Sequence, residues 1–141
     1  MSRYLLDTNV LSEPTRKAPE PRVIKWLGSV TPEALCVSVL SVGELQKGIS
    51  LQPGNRKRAT HETWLENILM NTADGNLLPV DSAVARKWGE LTAAARLEGR
   101  TLAIVDALLA ATALVHGLTV VTRNSRDFAG TGVRVFNPWK E

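Results

Sequence analysis

The segment that decides the fold is TLAIVDALLAATALVHGLTVVTRNSRDF, residues 101–128. Residues 105–116 are apolar on almost every side of a helix, so they predict a buried helix. Gly117 ends that helix, and residues 118–122 predict a strand. A buried helix that leads directly into a strand is typical of sheets whose parallel strands are joined by helical crossovers.

The rest of the chain repeats this alternation. Predicted strands cover residues 3–6, 34–39, 77–80 and 133–136, and predicted helices cover 21 to about 27, 42 to about 51, about 56–71 and 82 to about 97. Residues 13–21 predict a loop and residues 138–141 a tail. The alternation favours an α/β fold, a three-layer α/β/α sandwich with a central, mainly parallel sheet.

Capping residues set two of the predicted helix starts. Ser41 is predicted to cap the helix that begins at Val42, with Glu44 three residues later as its capping-box partner. Asp81 or Ser82 is predicted to cap the helix that reaches about residue 97. Gly99 is predicted to close that helix.

Composition restricts the class of protein. The 141 residues, 44% hydrophobic and 22% charged, suit a single globular domain spanning residues 1–141. No secretory signal or apolar run of roughly 20 residues is present, so we expect a cytoplasmic protein without membrane association. The single cysteine, Cys36, predicts a buried small hydrophobic residue. The net charge of +3 is compatible with a polyanionic partner but does not require one.

Four carboxylates occupy related places in this scheme. Asp7 follows the first strand, Glu44 lies in the first turn after the second, and Asp127 follows the strand at 118–122. Asp106 opens the helix that leads into that strand. In a right-handed crossover the start of the helix lies at the carboxyl edge of the sheet. We therefore expect all four acids at that edge, where open α/β sheets bind ligands.

The local sequence favours a metal site over isolated structural acids. Asp106 is the only charge in residues 101–115, and a carboxylate beside a buried segment is costly unless it is paired or binds a metal. Asp7 or Asp106 taken alone could be a helix cap or a paired acid, and Glu44 could complete a capping box. Four carboxylates together repel one another unless cations neutralise them. An oxygen-only ligand set without His or Cys suits Mg²⁺ or Mn²⁺ rather than zinc.

Other polar residues have predicted supporting or structural roles. Neutral groups suited to orienting carboxylates or water are Thr8, Asn9, Thr122 and Asn124. Arg123 and Arg126 flank the acids and either bind phosphate or neutralise the acids. Residues predicted to be structural are Asp81, His61, His116, the basic run 56–58 and the tryptophans Trp26, Trp64, Trp88 and Trp139.

Four segments resemble the PIN-domain family, specifically the VapC-type toxin ribonucleases of bacterial toxin–antitoxin pairs. They are YLLDTNVLSE (4–13), SVLSVGELQKGI (38–49), IVDALLAATALVHGLTVVTRNSRDF (104–128) and VFNPW (135–139). The resemblance spans essentially the whole chain, as a single PIN-like nuclease domain. It implies a magnesium-dependent endoribonuclease that acts on RNA, with a cognate antitoxin and a homodimeric assembly.

The resemblance also implies roles for the four acids. Asp7 and Asp106 would be the principal metal ligands, directly or through ordered waters. Glu44 and Asp127 would complete the shell of one ion or form a second metal site. Many PIN domains carry an acid at the position of Asn124, so the fourth acidic role is either shared between Asn124 and Asp127 or shifted from one to the other.

Two other functions are compatible with parts of the pattern. An aspartate-based phosphatase would also place an Asp after its first strand, but it needs a second Asp where this chain has Asn9. A catalytically inactive PIN-like domain that binds RNA or protein is the non-enzymatic alternative. The retained acids disfavour it, because an acidic pocket without cations repels phosphate.

Overall fold

A computed structural model of the chain describes residues 2–140, and a central parallel sheet organises them. Met1 and Glu141, the first and last residues of the predicted domain, lie outside the described residues. Glu141 is also the last residue of the predicted tail. The strand order is β3-β2-β1-β4-β5, and every neighbouring pair is parallel. The strands are β1 (Tyr4–Leu6), β2 (Leu35–Ser38), β3 (Leu77–Leu78), β4 (Thr119–Val121) and β5 (Val135–Phe136).

Six helices connect these strands in the described part of the chain. They are α1 (Thr8–Ser12), α2 (Pro21–Ser29), α3 (Val39–Ser50), α4 (Arg56–Asn71), α5 (Ser82–Leu97) and α6 (Ile104–His116). Short 3₁₀ turns occupy Glu13–Thr15, Pro32–Ala34 and Ser125–Phe128. The predicted α/β sandwich with a central parallel sheet is confirmed.

Successive side chains of β1 point to opposite faces of the sheet and belong to two separate hydrophobic clusters. Leu5 packs with Leu109 and other residues of α6 on one face of the sheet. Leu6 packs with Val10 of α1 and Val23 of α2 on the other face. This division follows from the period of two along a strand. Helices on both faces bury the sheet and leave its carboxyl edge open for a site.

Several local predictions are confirmed. Helix α4 spans the predicted residues, and Asp81 caps α5 by accepting a 3.0 Å hydrogen bond from the Val84 amide. Gly117 ends α6 in the left-handed conformation, at φ 68°. Cys36 is fully buried, as predicted for a small hydrophobic residue. No helix among residues 2–140 combines the length and apolar character needed to cross a membrane.

The start of α3 was predicted wrongly. The Ser38 hydroxyl, and not Ser41, caps this helix by accepting a 3.0 Å hydrogen bond from the Leu40 amide. The helix therefore begins three residues earlier than predicted, and Ser41 is buried inside it. Val39 was predicted to end the preceding strand and Leu40 to lie between strand and helix, but both belong to the helix because Ser38 caps it. Glu44 consequently lies in the second turn of α3 and has no capping-box role.

Two other segments differ from prediction. Residues 8–12 were not predicted to be helical but form α1. Asp7 caps the first turn of this helix by accepting a hydrogen bond from the Thr8 amide. The predicted tail is packed rather than free. Trp139 is buried in the cluster formed by α1, α2 and the sheet, and Asn137 and Pro138 are buried beside it.

Candidate active site

The sheet order brings the four predicted acids to one edge. Strand β1 lies between β2 and β4, so Asp7, which follows β1, is flanked by the elements that follow those two strands. Helix α3 follows β2 and carries Glu44, and the 3₁₀ turn after β4 carries Asp127. Asp106 lies in the first turn of α6. The charges of Asp7, Glu44 and Asp127 all raise the pKa of Asp106, so the four carboxylates lie within electrostatic range of one another.

Asp7 is the buried centre of the site. Its side chain is 8% exposed and accepts hydrogen bonds from the Thr8 amide at 2.7 Å and from the Thr122 hydroxyl at 2.8 Å. Burial raises the pKa of Asp7, and the charges of Glu44 and Asp127 raise it further against the opposing hydrogen bonds. Two short hydrogen bonds to different oxygens fix the orientation of the carboxylate.

Thr122 ties the ends of β1 and β4 together. Its buried hydroxyl donates to Asp7 and accepts from the Asn124 amide at 3.0 Å. The Asn9 side-chain amide also lies within hydrogen-bond distance of this hydroxyl, at 3.3 Å, and of Asp7 Oδ2, at 3.4 Å. The Asn9 side-chain oxygen, Oδ1, accepts a hydrogen bond from the Arg123 amide at 3.2 Å. Thr122 and Asn9 therefore hold Asp7 in place, whereas Asn124 contributes its backbone and leaves its exposed side chain free.

Glu44 is positioned by a direct contact across the site. Its Oε1 accepts a 2.6 Å hydrogen bond from the Thr8 hydroxyl. Thr8 therefore links two of the acids, because its amide contacts Asp7 and its hydroxyl contacts Glu44. The Glu44 side chain is otherwise exposed at the surface of α3, so it is free to bind a ligand.

Asp106 has a different environment. Ala103 occupies the cap position of α6, so Asp106 is not a helix cap. Its carboxylate is partly buried and forms neither a hydrogen bond nor an ion pair with other groups of residues 2–140. Burial, together with the charges of Asp127, Asp7 and Glu44, raises its pKa to about 6. A partly buried carboxylate without a partner is the group in this site with the strongest need for a cation.

Asp127 lies at the exposed side of the site. It is in the 3₁₀ turn Ser125–Phe128, and its amide donates a 3.0 Å hydrogen bond to the Asn124 carbonyl. The two candidates for the fourth acidic role are thus joined through the backbone, and both side chains are exposed. Which of them serves that role stays a prediction.

The donor set suits a hydrated magnesium ion. No group of three or more Asp, Glu, His or Cys side chains within residues 2–140 is arranged closely enough to enclose a metal. Mg²⁺ does not require such a cage, because it keeps several waters and binds proteins through one or two carboxylates. Asp7, oriented by two hydrogen bonds, and Asp106, without any partner, provide carboxylate oxygens of this kind. The acidic edge therefore fits a hydrated Mg²⁺ or Mn²⁺ better than a dehydrated ion.

Two residues that support the site were not predicted. The Asn137 side-chain amide donates a 3.2 Å hydrogen bond to the Arg123 carbonyl, and its oxygen accepts from the Trp139 amide at 2.9 Å. Glu13 is 3% exposed and holds the turn after α1 by accepting a 2.8 Å hydrogen bond from the Glu20 amide. Both residues lie in segments that resemble the PIN-domain family, Glu13 in residues 4–13 and Asn137 in residues 135–139. The sequence of such a segment does not show which backbone group a polar side chain contacts.

Most residues predicted to be structural have structural partners. The His61 ring nitrogen Nδ1 lies 3.0 Å from the Gln52 side-chain oxygen. The Trp26 ring packs against Tyr4 in a T-shaped arrangement. Trp64 packs against the cluster between α3 and α4. Arg58 of the predicted basic run pairs with Glu62 one helical turn away.

The fold and site together define an α/β protein with an acidic ligand site at the carboxyl edge of an open parallel sheet. Comparison with known proteins identifies the family within that class. The PIN domain matches residues 4–133. The chain belongs to the PIN-domain family.

Curated relatives cover nearly the whole chain. It is 41% identical over 138 residues to the protein named Toxin FitB of Neisseria gonorrhoeae, covering 97% of this chain and 99% of that protein. It is 33% identical over 136 residues to the VapC ribonuclease Y4jK of Sinorhizobium fredii, covering 96% and 97%. The crystal structure of FitAcB from Neisseria gonorrhoeae superposes with a TM-score of 0.91 at 38% identity, covering 98% of this chain and 99% of that one.

Proposed function

We propose that this chain is an RNA-cleaving hydrolase, a magnesium- or manganese-dependent endoribonuclease that acts as the toxin of a toxin–antitoxin pair. The observation that carries the proposal is the acidic edge, where Asp106 lies partly buried without a partner beside the hydrogen-bonded Asp7. Membership of the PIN-domain family and the names of the relatives, a VapC ribonuclease among them, support RNA as the substrate.

The proposed reaction is hydrolysis of an RNA phosphodiester. Asp7 and Asp106 would hold the ion as principal ligands, directly or through water, with Glu44 and Asp127 completing the site. When bound, the ion would polarise the phosphodiester and lower the pKa of a water for attack on phosphorus. Asp7 performs its part because Thr122 and the Thr8 amide hold its two oxygens in fixed directions. Thr8 fixes the position of Glu44 in the same way.

Substitution of the two principal acids tests this assignment. Asp7→Asn and Asp106→Asn keep the shape of each side chain but remove a metal-binding charge, so each should reduce RNA cleavage with Mg²⁺ at least 100-fold. EDTA should abolish wild-type cleavage, and Mn²⁺ should restore it. Cleavage would be followed on labelled RNA with purified proteins.

The matched control is Asp81→Asn, which retains the helix cap on α5 because Asn also caps helices. This variant should cleave RNA at the wild-type rate. Full activity in either Asp7→Asn or Asp106→Asn, with folding verified by circular dichroism, would contradict the metal-ligand assignment. Release of phosphate from a small ester without cleavage of RNA would instead favour an aspartate-based phosphatase.

The proposed partners are a cognate antitoxin and a second copy of this chain, in the cytoplasm. The name of the FitB relative supports the toxin role. Induced expression should arrest growth, co-expression with the neighbouring reading frame should relieve the arrest, and Asp106→Asn should be harmless. Growth arrest that persists with Asp106→Asn would contradict a toxicity based on cleavage.

A further inference from the structure

A cationic hollow adjoins the acidic edge on the side of Asp127. It has a volume of about 520 Å³, and its lining includes Arg123, Arg126, Lys140 and the carboxylate of Asp127. The polar residues Asn124, Ser125 and Asn137 complete the lining. Three cationic side chains thus face one carboxylate. This excess of positive charge distinguishes the hollow from the acidic edge beside it, where four carboxylates meet.

Arg123 is held in place through its backbone, and its charge also lowers the pKa of the buried Glu13. Its amide donates to the Asn9 side chain, and its carbonyl accepts from the Asn137 side chain, both at 3.2 Å. Its guanidinium carbon lies 5.6 Å from the centroid of the Trp139 ring, within the range of a cation–π contact. Neither Arg123 nor Arg126 forms an ion pair with a carboxylate of residues 2–140. These guanidinium groups therefore remain available to an anion, and the fixed backbone reduces the entropy cost of binding one.

The neighbouring hollows are less suited to a phosphate. The hollow lined by Asp106 shares Asp127 and Arg126 with the cationic hollow. Its one further cation, Arg100, is already paired with Glu98 at 2.7 Å. The hollow beside Glu44 and Thr8 is lined by no Lys or Arg. Among these three hollows, only the cationic hollow is lined by more cations than carboxylates.

The cationic hollow is continuous with the acidic edge. Asp127 borders it and is close enough to Asp7 and Asp106 that its charge raises the pKa of both. A strand of RNA whose scissile phosphodiester lies at the acids would therefore extend a neighbouring phosphate into the hollow. The cations there would offset the repulsion between the RNA backbone and the four carboxylates.

We propose that the cationic hollow binds the phosphate of the RNA nucleotide adjacent to the scissile phosphodiester. Arg126 and Lys140 contact that phosphate from the solvent side, and Arg123 contacts it from its place over Trp139. The exposed side chains of Asn124 and Ser125 supply hydrogen bonds to its oxygens. This assignment rests on the proposed ribonuclease function, because it takes single-stranded RNA as the ligand.

The salt dependence of RNA binding tests the assignment. A fluorescein-labelled 12-nucleotide oligouridylate would be titrated with the full-length protein in EDTA, with anisotropy measured over a series of salt concentrations. Removal of one cation that binds a phosphate should reduce the slope of log K against log salt by about 0.7 for a single strand. We expect this decrease for Arg126→Met and for Lys140→Met, and about twice the decrease for the double variant.

Arg86→Met provides the matched control. Arg86 is exposed on α5 and does not line the hollow, so its replacement should leave the slope as in wild type. Arg123→Met should also reduce the slope by about 0.7, with thermal unfolding measured in parallel because Arg123 packs on Trp139. Arg126 and Lys140 are exposed, so their variants keep the test valid if Arg123→Met fails to fold.

The binding and cleavage results separate this inference from the proposed function. Slopes equal to wild type in both Arg126→Met and Lys140→Met would overturn the phosphate assignment, even if the wild-type protein cleaves RNA. The predicted slopes together with a wild-type protein that cleaves no RNA would support the phosphate site and overturn the ribonuclease proposal.

Discussion

At the scale of single residues, Asp7 and Asp106 show two ways of keeping a carboxylate ready for a cation. Asp7 is buried, but the Thr122 hydroxyl and the Thr8 amide compensate part of its missing hydration. Asp106 is less buried but has no such donors, and three neighbouring carboxylates repel it. A site arranged in this way stores unfavourable electrostatic energy in the folded chain, which a bound cation relieves.

The contribution of Asp106 to the stability of the metal-free protein should therefore decrease as the pH rises, opposite in sign to that of Glu13, whose pKa is lowered. The pKa of Asp106 is about 6 in the folded chain against an ordinary 3.8, so the folded state holds the proton more tightly than the unfolded state between these values. The part of the free energy of unfolding that Asp106 contributes then falls as the pH increases from about 4 to about 6. Asp106→Asn should reduce this fall and should raise the free energy of unfolding at pH 7 by roughly 1–2 kcal/mol.

Urea unfolding in EDTA at pH 4.5 and pH 7 measures this difference. Asp81→Asn is again the control, and we expect its unfolding free energy at pH 7 to stay within about 0.5 kcal/mol of wild type. An Asp106→Asn protein that is less stable than wild type at pH 7 would show that Asp106 has a stabilising partner.

At the scale of elements, the shortest strands depend on side chains for their place in the sheet. Strand β3 has two residues, and the Asn76 side chain just before it donates hydrogen bonds to the carbonyls of Glu33 and Leu35, both at 2.9 Å. Arg3 donates to the Asn76 oxygen at 3.0 Å, and the Val37 amide donates to the Asn76 carbonyl. One buried asparagine thus connects β3 to β2 and to the segment that leads into β1.

Removal of the Asn76 side chain should destabilise the fold. Asn76→Ala removes three partly buried hydrogen bonds made by a residue that is 5% exposed, which costs about 2–4 kcal/mol of unfolding free energy. Chemical denaturation would measure the decrease. Asn67→Ala on the exposed surface of α4 is the control and should change stability by less than about 0.5 kcal/mol. Equal stability of the two variants would contradict the bridging role of Asn76.

At the scale of the whole molecule, the charges are separated although the net charge is small. The chain carries a formal net charge of +3, yet four carboxylates converge at the carboxyl edge of the sheet. The cations of the adjoining hollow do not form ion pairs with these acids. Such a distribution favours two kinds of ligand, a metal cation at the edge and a polyanion beside it.

Magnesium should therefore stabilise the folded protein. A ligand that binds only the folded state adds about 2.7 kcal/mol at a concentration 100 times its dissociation constant. We expect the melting temperature of the wild-type chain to increase with Mg²⁺ concentration, as measured by differential scanning fluorimetry. The increase should be absent in the double variant Asp7→Asn/Asp106→Asn and should be retained in Asp81→Asn. An equal increase in all three proteins would indicate a general salt effect rather than binding at the acidic edge.

The sequence by itself determined the architecture and the placement of the acids. The apolar helix at 105–116, its closing Gly117 and the repeated alternation of strands and helices predicted a parallel sheet covered on both faces, because these patterns are local and periodic. The position of Asp7 after β1 and of Asp106 at the start of α6 predicted their convergence, because right-handed crossovers return to one edge of the sheet. The roles of these residues in metal binding stay predictions.

Only the tertiary structure decided which groups hold the site together. Ser38 rather than Ser41 caps α3, so Glu44 lies in the second turn of the helix and not in the first. There its carboxylate accepts a hydrogen bond from the Thr8 hydroxyl. Thr122 and Asn137 make hydrogen bonds to residues more than ten positions away. A pattern along the chain carries no information about such contacts, because hydrogen-bond partners depend on the directions in which folded segments approach one another. The structural role predicted for Trp139 is confirmed by its burial, but the packing of the predicted tail against α1 and α2 was missed for the same reason.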